Sequence, residues 1–314
     1  MTVEILAIGG AHIDRRARIF GDTKPGASNP GTWFEEAGGG VFNAARNLSR
    51  LGRAVRLIAP RGGDQAGQMV ADAASRAGIE DMPVMFLDRA TPSYTAILER
   101  DGNLVIALAD MALYDAFTAR RLKARSLRDS LALARHVLAD ANLPADTLSA
   151  LATSCHAAGK GMSAIAISPA KVTRLRGALP QLSHLFMNGA EAEAIAGERP
   201  ERPEDWPALL RAKGLRGGTV TSGSGPTIAF DPDGMALIEP LPLEKIADVT
   251  GAGDAFAAGF LDARLTGASL AEALRHGTAS AAITLASPNA TDENLSQERL
   301  ACQLALVPAA RFLS

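Results

Sequence analysis

Cysteine is scarce in this chain: Cys155 and Cys302 are the only two in 314 residues. Neither lies in a CxxC pair or a Cys/His cluster, so a disulfide framework and a thiolate zinc site are excluded, and reduced thiols are expected. An excess of charge is missing too, because 32 basic and 34 acidic residues leave a net −2. That balance excludes a nucleic-acid surface spread over the whole molecule. No run of about 18 apolar residues is free of charge, so no membrane-spanning helix is expected. Met1-Thr2-Val3-Glu4 lacks the basic region of a leader and runs straight into a strand-like segment, which points to a cytoplasmic protein. What remains is the composition of an ordinary globular protein, 47% hydrophobic and 21% charged. A chain of this length accommodates one large α/β domain or two modest ones.

Familiar nucleotide and hydrolase motifs are also absent. Gly159-Lys160-Gly161 has neither the upstream glycine nor the hydroxyl residue of a Walker loop, and no HExxH or GxSxG occurs. The first turn, Gly9-Gly10-Ala11-His12, does not supply the GxGxxG spacing of a dinucleotide-binding oxidoreductase.

The order of elements is informative. Val3 to Ile8 reads as a buried parallel strand, Asn43 to Leu51 as a helix stopped by Gly52, Val55 to Ala59 as a strand, and Asp64 to Ala77 as a helix. After residue 128 the alternation resumes. Helices are predicted at 128–134, 147–153 and from 191, with strands at 137–141, 164–167, 185–187 and 218–221. Repeated βαβ units imply an α/β fold, a mostly parallel sheet with helices on both faces. Residues 13–37 and the hairpin-like 91–109, which turns at Asp101-Gly102-Asn103, break the rhythm and read as a small β lid on a single domain spanning 1–314.

Chemistry concentrates in Asp248-Val249-Thr250-Gly251-Ala252-Gly253-Asp254, which opens a helix with Phe256, Phe260 and Leu261 directed to the core. Small residues at 251–253 let a ligand approach the backbone and leave helix N-terminal amides free for an anion. A transferring phosphoryl group would be stabilised there. Asp254, expected to be held ionised by the helix dipole, is placed to accept a proton from an alcohol. The residues alone leave a second reading equally open, an acid that merely complements a helix terminus.

This segment resembles the D-T-x-G-A-G-D signature of the ribokinase-like (PfkB) carbohydrate kinases. Ala37-Gly38-Gly39-Gly40-Val41-Phe42-Asn43 resembles the paired-glycine signature of that family, Asn188-Gly189-Ala190-Glu191 its N-x-x-E, and Thr221-Ser222-Gly223-Ser224-Gly225 its nucleotide-side turn. The four segments fall in family order across nearly the whole chain. The resemblance implies a three-layer αβα sandwich with a β lid, and a kinase transferring the γ-phosphoryl group of ATP to a hydroxymethyl hydroxyl. It implies Asp254 as base, with Gly251, Ala252 and Gly253 as the anion hole. Asn188 and Glu191 would hold Mg²⁺ through water, and Thr221, Gly223 and Gly225 would border ATP. Asp14, Gly38, Gly39 and Asn43 would bind the acceptor. K⁺ is implied near Asp248 and Thr250, with 286–289 as the accompanying loop, and an exposed lid edge leaves room for a homodimer.

Ser28-Asn29-Pro30-Gly31, Gly10 to Asp14, Asp110-Met111 and Asp140 to Pro144 resemble the pseudouridine kinases within the family. That subgroup carries arginine where Phe42 stands, which opens the acceptor: the 5′-hydroxyl of pseudouridine, another nucleoside, or a free sugar such as ribose. A Phe42 stacked on a base and a Phe42 in the core are both compatible with the sequence. A non-catalytic sugar or nucleotide sensor on the same fold is the contrasting class, and it would be marked by loss of the base or anion hole.

Overall fold

The computed structural model describes residues 3–243 and 245–313. Met1 and Thr2, part of the N-terminal segment read above, lie outside them.

Among the described residues a ten-stranded sheet forms the centre. From Glu80–Asp81 its neighbours run through Val55–Ile58, Ile5–Ile8, His136–Asp140, Gly161–Ile165 and His184–Asn188 to Gly218–Ser222, every pair parallel. Antiparallel pairings then add Gly225–Asp231, Gly234–Ile238 and Arg311–Leu313. The central strands are buried on both faces, which is why they read as unbroken apolar runs rather than alternating ones. Ile5 and Ala7 pack into one helical layer with Val41, Leu48, Phe256 and Phe260. Leu6 and Ile8 pack into the other with Leu148, Leu151 and Ile195. The three-layer αβα architecture follows from this two-sided burial.

Residues 13–37 and 91–109 fall within a separate four-stranded sheet, ordered Gly31–Gly38, His12–Ile19, Ser93–Leu98, Leu104–Asp110. Its outer strand Leu104–Asp110 is exposed throughout.

Helix boundaries differ from the sequence reading in one consequential place. The first helix runs Gly40–Arg50, with Gly39 as its cap at φ 115. It therefore begins three residues before the predicted Asn43, which is a first-turn residue. The predicted strand at 164–167 ends at Ile165 instead, and Ile167 adopts a left-handed φ of 71, unusual for a β-branched side chain.

Candidate active site

The carboxyl ends of the parallel strands and the N-termini of the helices Gly40–Arg50 and Ala252–Leu265 converge on a cavity of about 610 Å³. Asp254 lines it from the first turn of the second helix, and Asn43 from the first turn of the other. Asn43 Nδ2 donates to Asp254 Oδ2 at 2.8 Å. The helix dipole was expected to hold Asp254 ionised. Instead, burial drives its pKa up, to about 7, aided by the negative charges of Asp140 and Asp14 and opposed by the Asn43 hydrogen bond and the Arg46 charge. A carboxyl titrating near neutrality is suited to taking up and releasing a proton.

Gly251 and Gly253 line the cavity, whereas Ala252 does not. Gly251 caps the helix in a left-handed conformation, φ 77, and a Cβ there would collide with the Ala290 carbonyl oxygen. Only glycine satisfies both conditions. The segment 286–290 is thereby pressed against the turn that opens the helix. Thr250 lines the cavity, but Asp248 is turned away from it. Asp248 accepts from the Thr250 amide and hydroxyl at 2.9 and 2.8 Å, and its other oxygen pairs with Arg16 at 2.6 Å. Partial burial pushes its carboxyl up, yet those hydrogen bonds prevail and hold it below the usual carboxylate range. Arg16 belongs to the small sheet and also pairs with Glu36 at 2.7 Å, so it ties that sheet to the turn ahead of Asp254.

At the end of the cavity facing the small sheet, Asp14 and Gly39 lie near His12, Tyr94 and Met111. His12 Nε2 is 3.3 Å from Asp14, and its Nδ1 is 2.8 Å from the buried Tyr114 hydroxyl. Gly38 lies outside the cavity lining, and its function is spatial, since a Cβ there would overlap the Asp14 carboxylate. Fully buried Asp140 accepts from the Gly10 and Val41 amides and from both the backbone and side-chain nitrogens of Asn142. It fixes three chain segments around the cavity floor. Lys171 reaches the same floor and donates to Asn142 Oδ1 at 2.7 Å. His12, Tyr114 and Lys171 were not singled out as site residues. His12 and Asp14 share one face of a strand, a spacing visible in the sequence, but Tyr114 lies 102 residues from its partner and leaves no such trace.

The opposite end carries Asn188, Glu191, Thr221 and Gly223. Gly225 is not part of it and opens the next strand. Asn188 and Glu191 form a reciprocal capping box, each side chain accepting from the other's backbone amide, at 2.7 and 3.0 Å. Glu191 is buried without a cationic partner among the described residues, and burial raises its carboxyl above the usual range. An uncompensated carboxylate beside a cavity, with oxygen donors around it, fits a hard divalent cation held through water. No cluster of three or more His, Cys, Asp or Glu side chains forms a dedicated metal cage among the described residues.

Phe42 corrects one reading. It is completely buried, absent from the cavity lining, and covered by the Arg46 guanidinium 4.8 Å from its ring centre. Its side chain belongs to the core between the first helix and the sheet, so the departure at this position brings no aromatic ring to an acceptor.

A family model described as pfkB family carbohydrate kinase matches residues 4–297. The chain belongs to that family. Its enzymes are phosphotransferases acting on an alcohol group, and this chain is one by membership. It is similar to a solved carbohydrate kinase from Agrobacterium tumefaciens, 56% identical with a TM-score of 0.92, the match covering 99% of this chain and 100% of that one. An uncharacterised sugar kinase, YeiI, of Escherichia coli K12 is 29% identical over 96% of this chain and 83% of its own. The pseudouridine kinase of the same organism is 26% identical over 93% of each chain. No helix among the described residues is long and apolar enough to cross a membrane.

Proposed function

We propose that this kinase transfers the γ-phosphoryl group of ATP to the 5′-hydroxyl of pseudouridine, with Asp254 as general base. The observation that carries the kinase chemistry is the Asp254 carboxyl, in the first turn of its helix and hydrogen-bonded by Asn43 at 2.8 Å, lining a cavity whose two ends differ in character. The acceptor hydroxymethyl group sits against Asp254. Asn43, Asp14 and Gly39 hydrogen-bond the ribose hydroxyls, which suits paired carboxylate and amide groups facing a vicinal diol. Lys171 and Asn142 offer donors for the carbonyl oxygens of a uracil ring. ATP lies along Thr221 and Gly223 with its transferring phosphate over Gly251 and Gly253, where first-turn amides face the developing charge. Asn188 and Glu191 would hold Mg²⁺ through water, and the ion would supply neutralisation of phosphate charge.

K⁺ near Asp248 and Thr250, with 286–289 as the accompanying loop, belongs to the same reading. So do a cytoplasmic setting and a homodimer formed through the small sheet, whose outer strand exposes Leu104, Ile106 and Leu108. Subgroup resemblance at 10–14, 28–31 and 140–144 favours pseudouridine over other acceptors, and one relative, 26% identical, is a pseudouridine kinase. A free sugar is the second reading, favoured by the 29% identical sugar kinase. Release of ADP is measured with Mg²⁺ and a panel of pseudouridine, uridine, other nucleosides and ribose. Turnover of pseudouridine above all others is expected, and turnover of a free sugar with pseudouridine untouched overturns the assignment.

A further inference from the structure

Arg46 lies one turn beyond Asn43, outside the cavity lining, and is almost wholly buried. Its guanidinium rests on Phe42, and one terminal nitrogen donates to the Ala37 carbonyl at 2.7 Å and to Asn43 Oδ1 at 2.5 Å. Among the described residues its Nε has no acceptor, so the side chain is not a fully satisfied structural clamp. Burying a guanidinium in this way is costly, and burial lowers its own pKa to about 10.

The contact to Asn43 is directional. An amide oxygen that accepts from a cation leaves the amide nitrogen pointing the other way, and that nitrogen donates to Asp254. The flipped amide would set its NH₂ against the guanidinium and its oxygen against the Asp254 carboxylate. Arg46 therefore admits one orientation, the one that stabilises the ionised base. Its charge acts in the same sense through a poorly hydrated path.

We infer that Arg46 is a positioning residue that sets the acidity of Asp254, acting through the Asn43 amide and through its own positive charge. The inference rests on the reading of Asp254 as the base. Other charges bear on the pair. Asp140 from a strand end and Asp14 from the small sheet oppose ionisation of Asp254. Around the guanidinium, Glu36 and Asp14 favour its charge, whereas Arg50 on the same helix opposes it. None of these touches the Asn43 oxygen, so the directional part of the effect belongs to Arg46.

The test is the titration of the Asp254 carboxyl carbon by NMR, assigned by its loss in Asp254→Asn, together with the pH profile of kcat/KM. The wild-type midpoint is expected at about 7. Arg46→Met and Arg46→Gln are expected to raise it by about one pH unit. Turnover at pH 6 then falls about tenfold and is regained at pH 9. Arg46→Lys keeps the charge and is expected to stay within about half a unit of wild type. Two neutral variants are used so that either one that folds decides the matter. An unmoved midpoint in a folded neutral variant overturns the inference, and a Lys variant shifted as far as the neutral ones assigns the effect to lost packing and overturns it too. Near-normal turnover in Asp254→Asn would instead remove the base assignment, while the carboxyl titration still reports whether Arg46 governs that group.

Discussion

Replacing Asp254 by asparagine separates the cost of holding the base from the benefit it confers. In the folded chain its pKa rises from 3.8 to about 7, so the folded state binds more protons than the unfolded chain between those values. Stability linked to this group is complete below about pH 4, declines as pH rises, and is fully lost above about pH 7. Three pH units correspond to about 4 kcal/mol. The neutral amide of Asp254→Asn bears none of it. The variant should melt at the same temperature as wild type at pH 4 and about 8 °C higher at pH 8.5, given about 2 °C per kcal/mol for a chain of this size. Turnover should fall by 10²–10⁴ (an order-of-magnitude expectation) for a missing general base. Wild-type kcat/KM should climb with pH and level off above about 7 as the carboxyl ionises. Calorimetry across pH, paired with ADP release, reads both quantities on the same preparations. A melting difference that does not vary with pH would refute the burial argument, and near-normal turnover would refute the assignment of the base.

Gly251→Ala places a methyl against the Ala290 carbonyl in a left-handed backbone, and should cost about 2–4 kcal/mol in thermal unfolding. Gly253→Ala meets no atom within 4 Å, so its stability should remain within about 0.5 kcal/mol while phosphoryl transfer falls. Glu191→Gln removes a buried charge yet keeps an oxygen for the Asn188 amide, so the fold should hold while the Mg²⁺ concentration for half-maximal rate rises several-fold; an unchanged Mg²⁺ requirement would detach Glu191 from the metal. Arg16→Met breaks both the Asp248 and the Glu36 pairs. Amide exchange should accelerate in 12–19 and 248–251 together, at a cost of about 1 kcal/mol; acceleration of one segment alone would show that the pair transmits nothing.

Much of this site could be read in the sequence because each motif carries its own local chemistry. Small residues before Asp254 announce a helix terminus open to an anion, and N-x-x-E is a capping pattern whether or not it also meets a metal. Glycines ahead of Asn43 mark a close approach of chains, and Asp14, Gly39, Asn43, Asn188, Thr221 and Asp254 do meet around one cavity. What escaped depends on contacts distant in sequence. Phe42 could not be oriented because the onset at Gly40 has no side-chain cap to announce it, and a helix shifted by a few residues turns a different face to the ligand. The protonation of Asp254 depends first on its burial, and then on Asn43, Asp140, Arg46 and Asp14, which lie on other elements. A dipole is legible in one helix, and burial is legible only in the assembled fold.

Arg16 and Asp248 lie 232 residues apart in the chain yet form one ion pair. The small sheet is therefore not a cassette that can be exchanged freely among kinases of this fold. A graft of residues 12–38 and 93–110 from a donor with an apolar or acidic side chain at position 16 would leave Asp248 without its cation, held on one oxygen by Thr250 alone. The turn ahead of Asp254 would lose its outer tether although no residue near it in sequence had changed. Recombination and design across this fold thus have to inherit positions 16 and 248 from the same parent.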